Sequence, residues 1–176
     1  MAAAVTPENK AYRPIRVLFL CHGNASRSIM AEALLKRLGQ GRFEAFSGGS
    51  HPRGEIDPLT ADLLTKENYR LDGMRSKSWN EFADGQAESF DYVFTVCDTA
   101  KGEQCPTWPG HPMQAHWPIP DPAGVQGSDA GHRIAVADAY RMLRTRIDIF
   151  VNLPLERLGQ GTIQTQLNAI RAAGKD

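Results

Sequence analysis

The sequence predicts an α/β domain, an open four-stranded parallel sheet flanked by helices on both faces. Three observations predict it. Strand-like and helix-like stretches alternate along the chain, which is the pattern of a parallel sheet. The run Ile15-Arg16-Val17-Leu18-Phe19-Leu20 passes through a short polar turn straight into a helix-like stretch, Ile29-Met30-Ala31-Glu32-Ala33-Leu34-Leu35-Lys36. Each chemically suspicious residue also follows a strand, and ligands of such sheets bind at the carboxyl ends of the strands.

The elements follow in order. Residues 1–13 read as a flexible polar tail ahead of a single catalytic domain, 14–176. Strand one covers 15–20, and helix one runs from about 28 to 38 with Gly39 as its stop. Residues 43–47 form strand two, ended by Gly48-Gly49-Ser50-His51-Pro52. Asp57-Pro58 starts a helix through Leu59, Leu63 and Leu64, with proline in its first turn. Residues 82–86 connect to strand three, 91–96. A short fourth strand, 114–119, carries a proline and is therefore placed at an edge. Ser128-Asp129 caps a long helix whose apolar face includes Tyr140, Leu143, Ile147 and Phe150. A last helix, 162–173, ends at Gly174.

Composition narrows the function. Twenty basic and twenty acidic residues give a formal net charge of zero, which argues against broad binding to nucleic acid or an anionic membrane. No apolar run is long enough to span a bilayer, and the N-terminal stretch lacks the basic start and apolar core of a signal peptide. Three cysteines are an odd number, too few for a secreted disulfide framework, so a reducing cytoplasm is the expected compartment. No metal site is expected. The cysteine spacings do not match zinc ligation, and the five histidines show no ligand pattern.

Cys21-His22-Gly23-Asn24-Ala25-Ser26-Arg27-Ser28 joins strand one to helix one. Loop amides and a helix N-terminus concentrate partial positive charge there, which suits a tetrahedral oxyanion. The same field favours the thiolate, the nucleophilic form of Cys21. Arg27 offers a planar fork for two oxygens at once, which lysine lacks. A buried strand-end cysteine beside a surface arginine is the plainer alternative, and the strand-loop-helix context favours the covalent oxyanion site. Asp121, stiffened by Pro120 and Pro122, is either an ordinary turn residue or the acid that protonates a leaving oxygen. Beside the Cys21 loop the acid is favoured. Cys97 and Cys105 are either a core and an incidental cysteine, or a redox pair able to draw electrons from Cys21. Their polar, glycine-containing connection reads as exposed and mobile. The redox pair is favoured, since a hydrolase has no use for two further thiols here.

The run from Val17 to Glu32, with Cys21, Asn24, Arg27 and Ser28, resembles the low-molecular-weight protein tyrosine phosphatase family. Phe46-Ser47-Gly48-Gly49-Ser50-His51-Pro52, Arg75-Ser76-Lys77-Ser78-Trp79, Phe94-Thr95-Val96-Cys97-Asp98, Cys105-Pro106-Thr107-Trp108-Pro109-Gly110, His116-Trp117 and Asp121-Pro122 resemble its arsenate reductase branch. The resemblance covers residues 15 to 155. The chain departs from the phosphatases at Ser26, where they usually carry a second cysteine, and at Ala123-Gly124, where they place a tyrosine.

The resemblance implies reduction of arsenate to arsenite without a bound cofactor. The loop residues His22, Gly23, Asn24, Ala25, Ser26, Arg27 and Ser28 bind the oxyanion, with phosphate or sulfate as competitors. It also implies the roles. Cys21 attacks arsenic, Asp121 protonates the leaving oxygen, and Cys97 attacks Cys21. Cys105 then takes over the disulfide and presents it to thioredoxin, or to glutaredoxin with glutathione. Asn24 and Ser28 support the loop and thiolate by hydrogen bonds. Phosphate-monoester hydrolysis needs only Cys21, Arg27 and Asp121 and is the alternative activity; a non-catalytic anion-binding regulator is a more distant one.

Overall fold

A computed structural model of the chain describes residues 13–83, 88–98, 103, 105–124 and 127–175. Four parallel strands, β1 (Ile15–Cys21), β2 (Phe43–Gly49), β3 (Tyr92–Thr95) and β4 (Met113–His116), form one sheet in the order β2-β1-β3-β4. Among the described residues four α-helices accompany them: α1 (Arg27–Leu38), α2 (Pro58–Lys66), α3 (Asp129–Val151) and α4 (Gln160–Ile170). β4 lies at an edge, as expected, and it occupies 113–116 rather than 114–119; the Trp117 and Ile119 amides still donate to Thr95 O and Val96 O at 2.8 and 3.1 Å, but Pro118 between them has no N–H for the ladder. The last helix ends earlier than the sequence suggests, and Gly174 lies in the turn beyond it with φ at +78°. Arg13, assigned to the tail, donates to Asp91 at 2.7 Å, whereas residues 1–12 lie outside the described residues, as does most of the 82–86 connector.

β1 is central and buried on both faces. Val17, Phe19 and Cys21 join Ile29, Leu34, Leu64, Leu143, Ile147 and Leu167 of the four helices in the larger core. Leu18 and Leu20 point to the other face, against Trp79, Phe90, Val93 and Trp108. Here the expectation of helices on both faces needs correction. Among the described residues, the buried apolar side chains of these four α-helices belong to the first core, and a 3₁₀ turn (Trp79–Phe82) and the Trp108 loop cover the second. Large aromatic rings replace a helix there: Trp79 meets Trp108, and Phe46 meets Phe82 and Phe90 edge-on.

Helix starts follow their sequence signals. Asp57 accepts from the Thr60 amide at 2.9 Å with Pro58 in the first turn, and Ser128 accepts from the Gly131 amide at 3.3 Å. Such caps each stabilise a helix by about 1 kcal/mol. Trp117 fastens the edge strand: it is fully buried, stacks on Phe94 at 4.0 Å, and donates from Nε1 to Leu167 O at 2.9 Å. The Arg146 side chain, on α3, donates to Pro118 O and Ala173 O, both at 3.0 Å. It thereby fixes the start of the loop that carries Asp121.

Candidate active site

The oxyanion loop takes its shape from neighbouring backbone. The amides of His51, Arg53 and Asp57 donate to the carbonyls of His22, Gly23 and Ala25 at 2.9, 3.0 and 2.9 Å. Across a planar trans peptide the next N–H points opposite to the carbonyl. Binding those three carbonyls on the outside therefore turns the amides of Gly23, Asn24 and Ser26 inward. The Asn24 amide accordingly donates to Cys21 Sγ at 3.2 Å. Gly49, at the end of β2, lies under this turn: a Cβ there would come within 2.6 Å of His22 O and 2.9 Å of Asn24 N.

Asn24 is the keystone. Its φ of +42° is left-handed, a conformation that Asn tolerates better than most residues. Its side chain is fully buried. Oδ1 accepts the Lys77 amide at 2.9 Å and Nδ2 donates to Ser28 Oγ at 2.8 Å. Ser28 Oγ lies 2.8 Å from Cys21 Sγ, and either group can donate to the other. The sulfur is thus held by the Asn24 amide and the Ser28 hydroxyl together.

Lys77 brings positive charge beneath the loop. Its Nζ lies 3.6 Å from Glu32 and 3.4 Å from Ser47 Oγ, with the side chain 10% exposed. Burial pushes its pKa down against the opposing pull of Glu32. Arg27 donates to Ile119 O at 3.0 Å and stands 3.6 Å from Asp121 Oδ1. Arg27, on the loop after β1, and Asp121, on the loop after β4, therefore share one cavity rim with Arg53 and His132.

Cys97 follows β3 and is buried, whereas Asp98, the first residue of the connection expected to be exposed, is exposed. The strand carries Cys97 inside before the polar stretch begins, and its Sγ accepts the His22 amide at 3.2 Å. Asp98 is held by His116 Nε2 at 2.8 Å. Cys105 is exposed, and burial of its thiol together with the nearby Glu103 carboxylate pushes its pKa up. Residues 99–102 and 104 lie outside the described residues.

Sequence spacing missed several neighbours of the loop. Arg53 runs its side chain alongside Gly23, with Nε 3.3 Å from the position of a Cβ there. His22, His51 and Glu103 converge although they are remote in sequence, and their rings and carboxylate form a cluster. Burial alone would raise the Glu103 pKa, but hydrogen bonds from His22 and Ser50 outweigh it and hold the carboxylate below its usual range.

These thiols should differ in reactivity. Iodoacetate, itself an anion, should alkylate Cys21, which lies in the amide-lined loop, before Cys97 or the poorly ionised Cys105, and phosphate or arsenate should slow that reaction. Peptide mapping after brief exposure measures the order. Equal labelling of all three, indifferent to either anion, contradicts the cup.

A cysteine in an amide-lined loop, an arginine fork beside it and an aspartate 3.6 Å from that arginine, all on a parallel sheet, suit covalent oxyanion chemistry. The low-molecular-weight phosphotyrosine protein phosphatase model matches residues 16–157, and the chain belongs to that family. An arsenate reductase of Oceanobacillus iheyensis is 28% identical over 134 residues, 76% of this chain and 93% of that protein. One of Bacillus cereus is 32% identical over 114 residues, 64% of this chain and 81% of the relative. Among solved structures, a thioredoxin-dependent arsenate reductase of Corynebacterium glutamicum superposes with a TM-score of 0.56 at 26% identity. That match covers 80% of this chain and 64% of the other, just under two thirds of its length. The Escherichia coli tyrosine phosphatase Wzb, solved with sulphate, shares the fold with a TM-score of 0.59 at 20% identity, over 84% of this chain and all of the other.

Proposed function

We propose that this protein is an arsenate reductase whose electrons pass through its own three cysteines to a dithiol protein of the thioredoxin type. One observation carries the reading: a second buried thiol, Cys97, sits against the nucleophile's loop, bonded to the amide that follows Cys21. Phosphate hydrolysis would not use it. The relatives named arsenate reductase support the same assignment.

The Cys21 thiolate attacks arsenic(V), forming a sulfur–arsenic bond, while Asp121 gives its proton to the departing oxygen, which leaves as water. The inward amides and Arg27 hold the remaining oxygens. The Cys97 thiolate then attacks Cys21 Sγ. A disulfide forms, the sulfur–arsenic bond breaks, and its electron pair stays on arsenic, which leaves as arsenite. Cys105 attacks Cys97, frees Cys21, and leaves a Cys97–Cys105 disulfide for the external dithiol. The raised pKa of Cys105 keeps it from competing early. No bound cofactor enters these steps. Glutathione with glutaredoxin is the other reductant of suitable chemistry, and a cytoplasmic location fits a thiol cycle. No helix among the described residues is long and apolar enough to cross a membrane.

The test is arsenate turnover with thioredoxin, thioredoxin reductase and NADPH, beside hydrolysis of an aryl phosphate. The wild type should turn over arsenate continuously. Cys97→Ser should release no arsenite, and Cys105→Ser should release one equivalent per chain and stop. Weak aryl phosphate hydrolysis should survive in both variants. Undiminished arsenate turnover in either variant, or none in the wild type, overturns the reading.

A further inference from the structure

We infer that His22, His51 and Glu103 form a binding site for a divalent ion of the zinc, nickel or cobalt type. Their ligand atoms all lie within 4.8 Å of one another. His22 Nδ1 is 2.7 Å from Glu103 Oε1, and His51 Nδ1 is 3.6 Å from Oε2. Two imidazoles and a carboxylate are a donor set that suits these ions, with open positions left for water. Around a tetrahedral ion with bonds of about 2.0–2.2 Å, donors sit roughly 3.4 Å apart. The His51–Glu103 spacing already meets that. The shorter His22–Glu103 contact holds a proton, which an entering ion displaces to solvent.

A fourth polar group lies among them. Ser50 Oγ is 3.3 Å from His22 Nδ1 and 3.1 Å from His51 Nδ1, the same nitrogens that face Glu103, so an entering ion takes over those nitrogens and Ser50 is left to bond the ion's water or the carboxylate. The rings stack at 4.6 Å with a 23° tilt, so both must turn for their nitrogens to aim at one ion. His51 has room to do so, with its side chain 69% exposed.

The position gives the ion a consequence. His22 follows the nucleophile, and Glu103 lies between Cys97 and Cys105, so an ion here ties the oxyanion loop to the segment that joins the two outer thiols. If the arsenate reductase reading holds, the filled site retards transfer of the disulfide from Cys21–Cys97 to Cys97–Cys105 and leaves anion binding intact. Metal binding itself does not depend on that reading.

Thiolates compete for the same ions, so the titration uses the chain in which Cys21, Cys97 and Cys105 are all replaced by serine. Calorimetry with nickel should show one ion per chain, and adding His51→Ala or Glu103→Gln should weaken it at least about tenfold. Nickel should also slow amide hydrogen exchange across 103–110 in the triple variant and leave it unchanged after His51→Ala. Should circular dichroism show the triple variant unfolded, wild-type and His51→Ala chains with methylthio-blocked cysteines give the same comparison. Absence of nickel binding, or binding equally tight with and without His51, overturns the site. Neither outcome bears on arsenate turnover, which is measured separately.

Discussion

Asp121→Asn should lower the rate of arsenite release in a single turnover by about a hundredfold or more, with phosphate affinity little changed. The substitution isolates the proton. Asp121 Oδ1 accepts the Ala123 amide at 3.0 Å, a turn bond that asparagine keeps through its own carbonyl. Ile119 O stays bonded to Arg27, so the loop has no reason to move. What disappears is a group able to protonate the leaving oxygen, together with a negative charge 3.6 Å from Arg27. A rate within a few-fold of wild type, with chemistry shown to be limiting, reduces Asp121 to a turn residue.

Arg27→Lys should cost about a hundredfold to a thousandfold in kcat/KM, the scale of losing a prearranged donor to a developing oxyanion. Two functions fail together. The guanidinium spans the Ile119 carbonyl and the Asp121 side, and its five N–H groups are enough to grip an anion as well. A lysine ammonium is a single compact charge and cannot do both. The loss should therefore appear in phosphate affinity as well as in the rate, unlike that of Asp121→Asn. Calorimetric phosphate titration of the two variants separates them, and unaltered phosphate binding in Arg27→Lys contradicts the assigned grip.

Much of the site was legible because its parts are local. Cys21 through Ser28 lie on one turn, Asp57-Pro58 and Ser128 mark helix starts by their own chemistry, and strand ends in a parallel sheet converge. What escaped was non-local. The outward carbonyl bonds from residues 51, 53 and 57 come from a stretch whose resemblance was visible but whose function has no local signature. Lys77 reaches Asn24 through a backbone amide, a contact that no side-chain pattern reports. The second face of the sheet misled for a related reason. Strand–helix alternation specifies helices but not how they divide between faces, and Trp79 and Trp108 show how two indoles with a short turn can stand in for one.

Gly49 lets the loop rest directly on the end of β2. With the end of β2 touching the inner side of the turn, the cup's curvature is cast during folding, before any anion arrives. Little conformational entropy then remains to be lost on binding, so the affinity of a small, strongly hydrated dianion need not be spent on ordering its receptor. The same casting leaves no slack. A single methyl group at Gly49 would act as a wedge, and its cost would fall on recognition of the anion more than on the stability of the sheet.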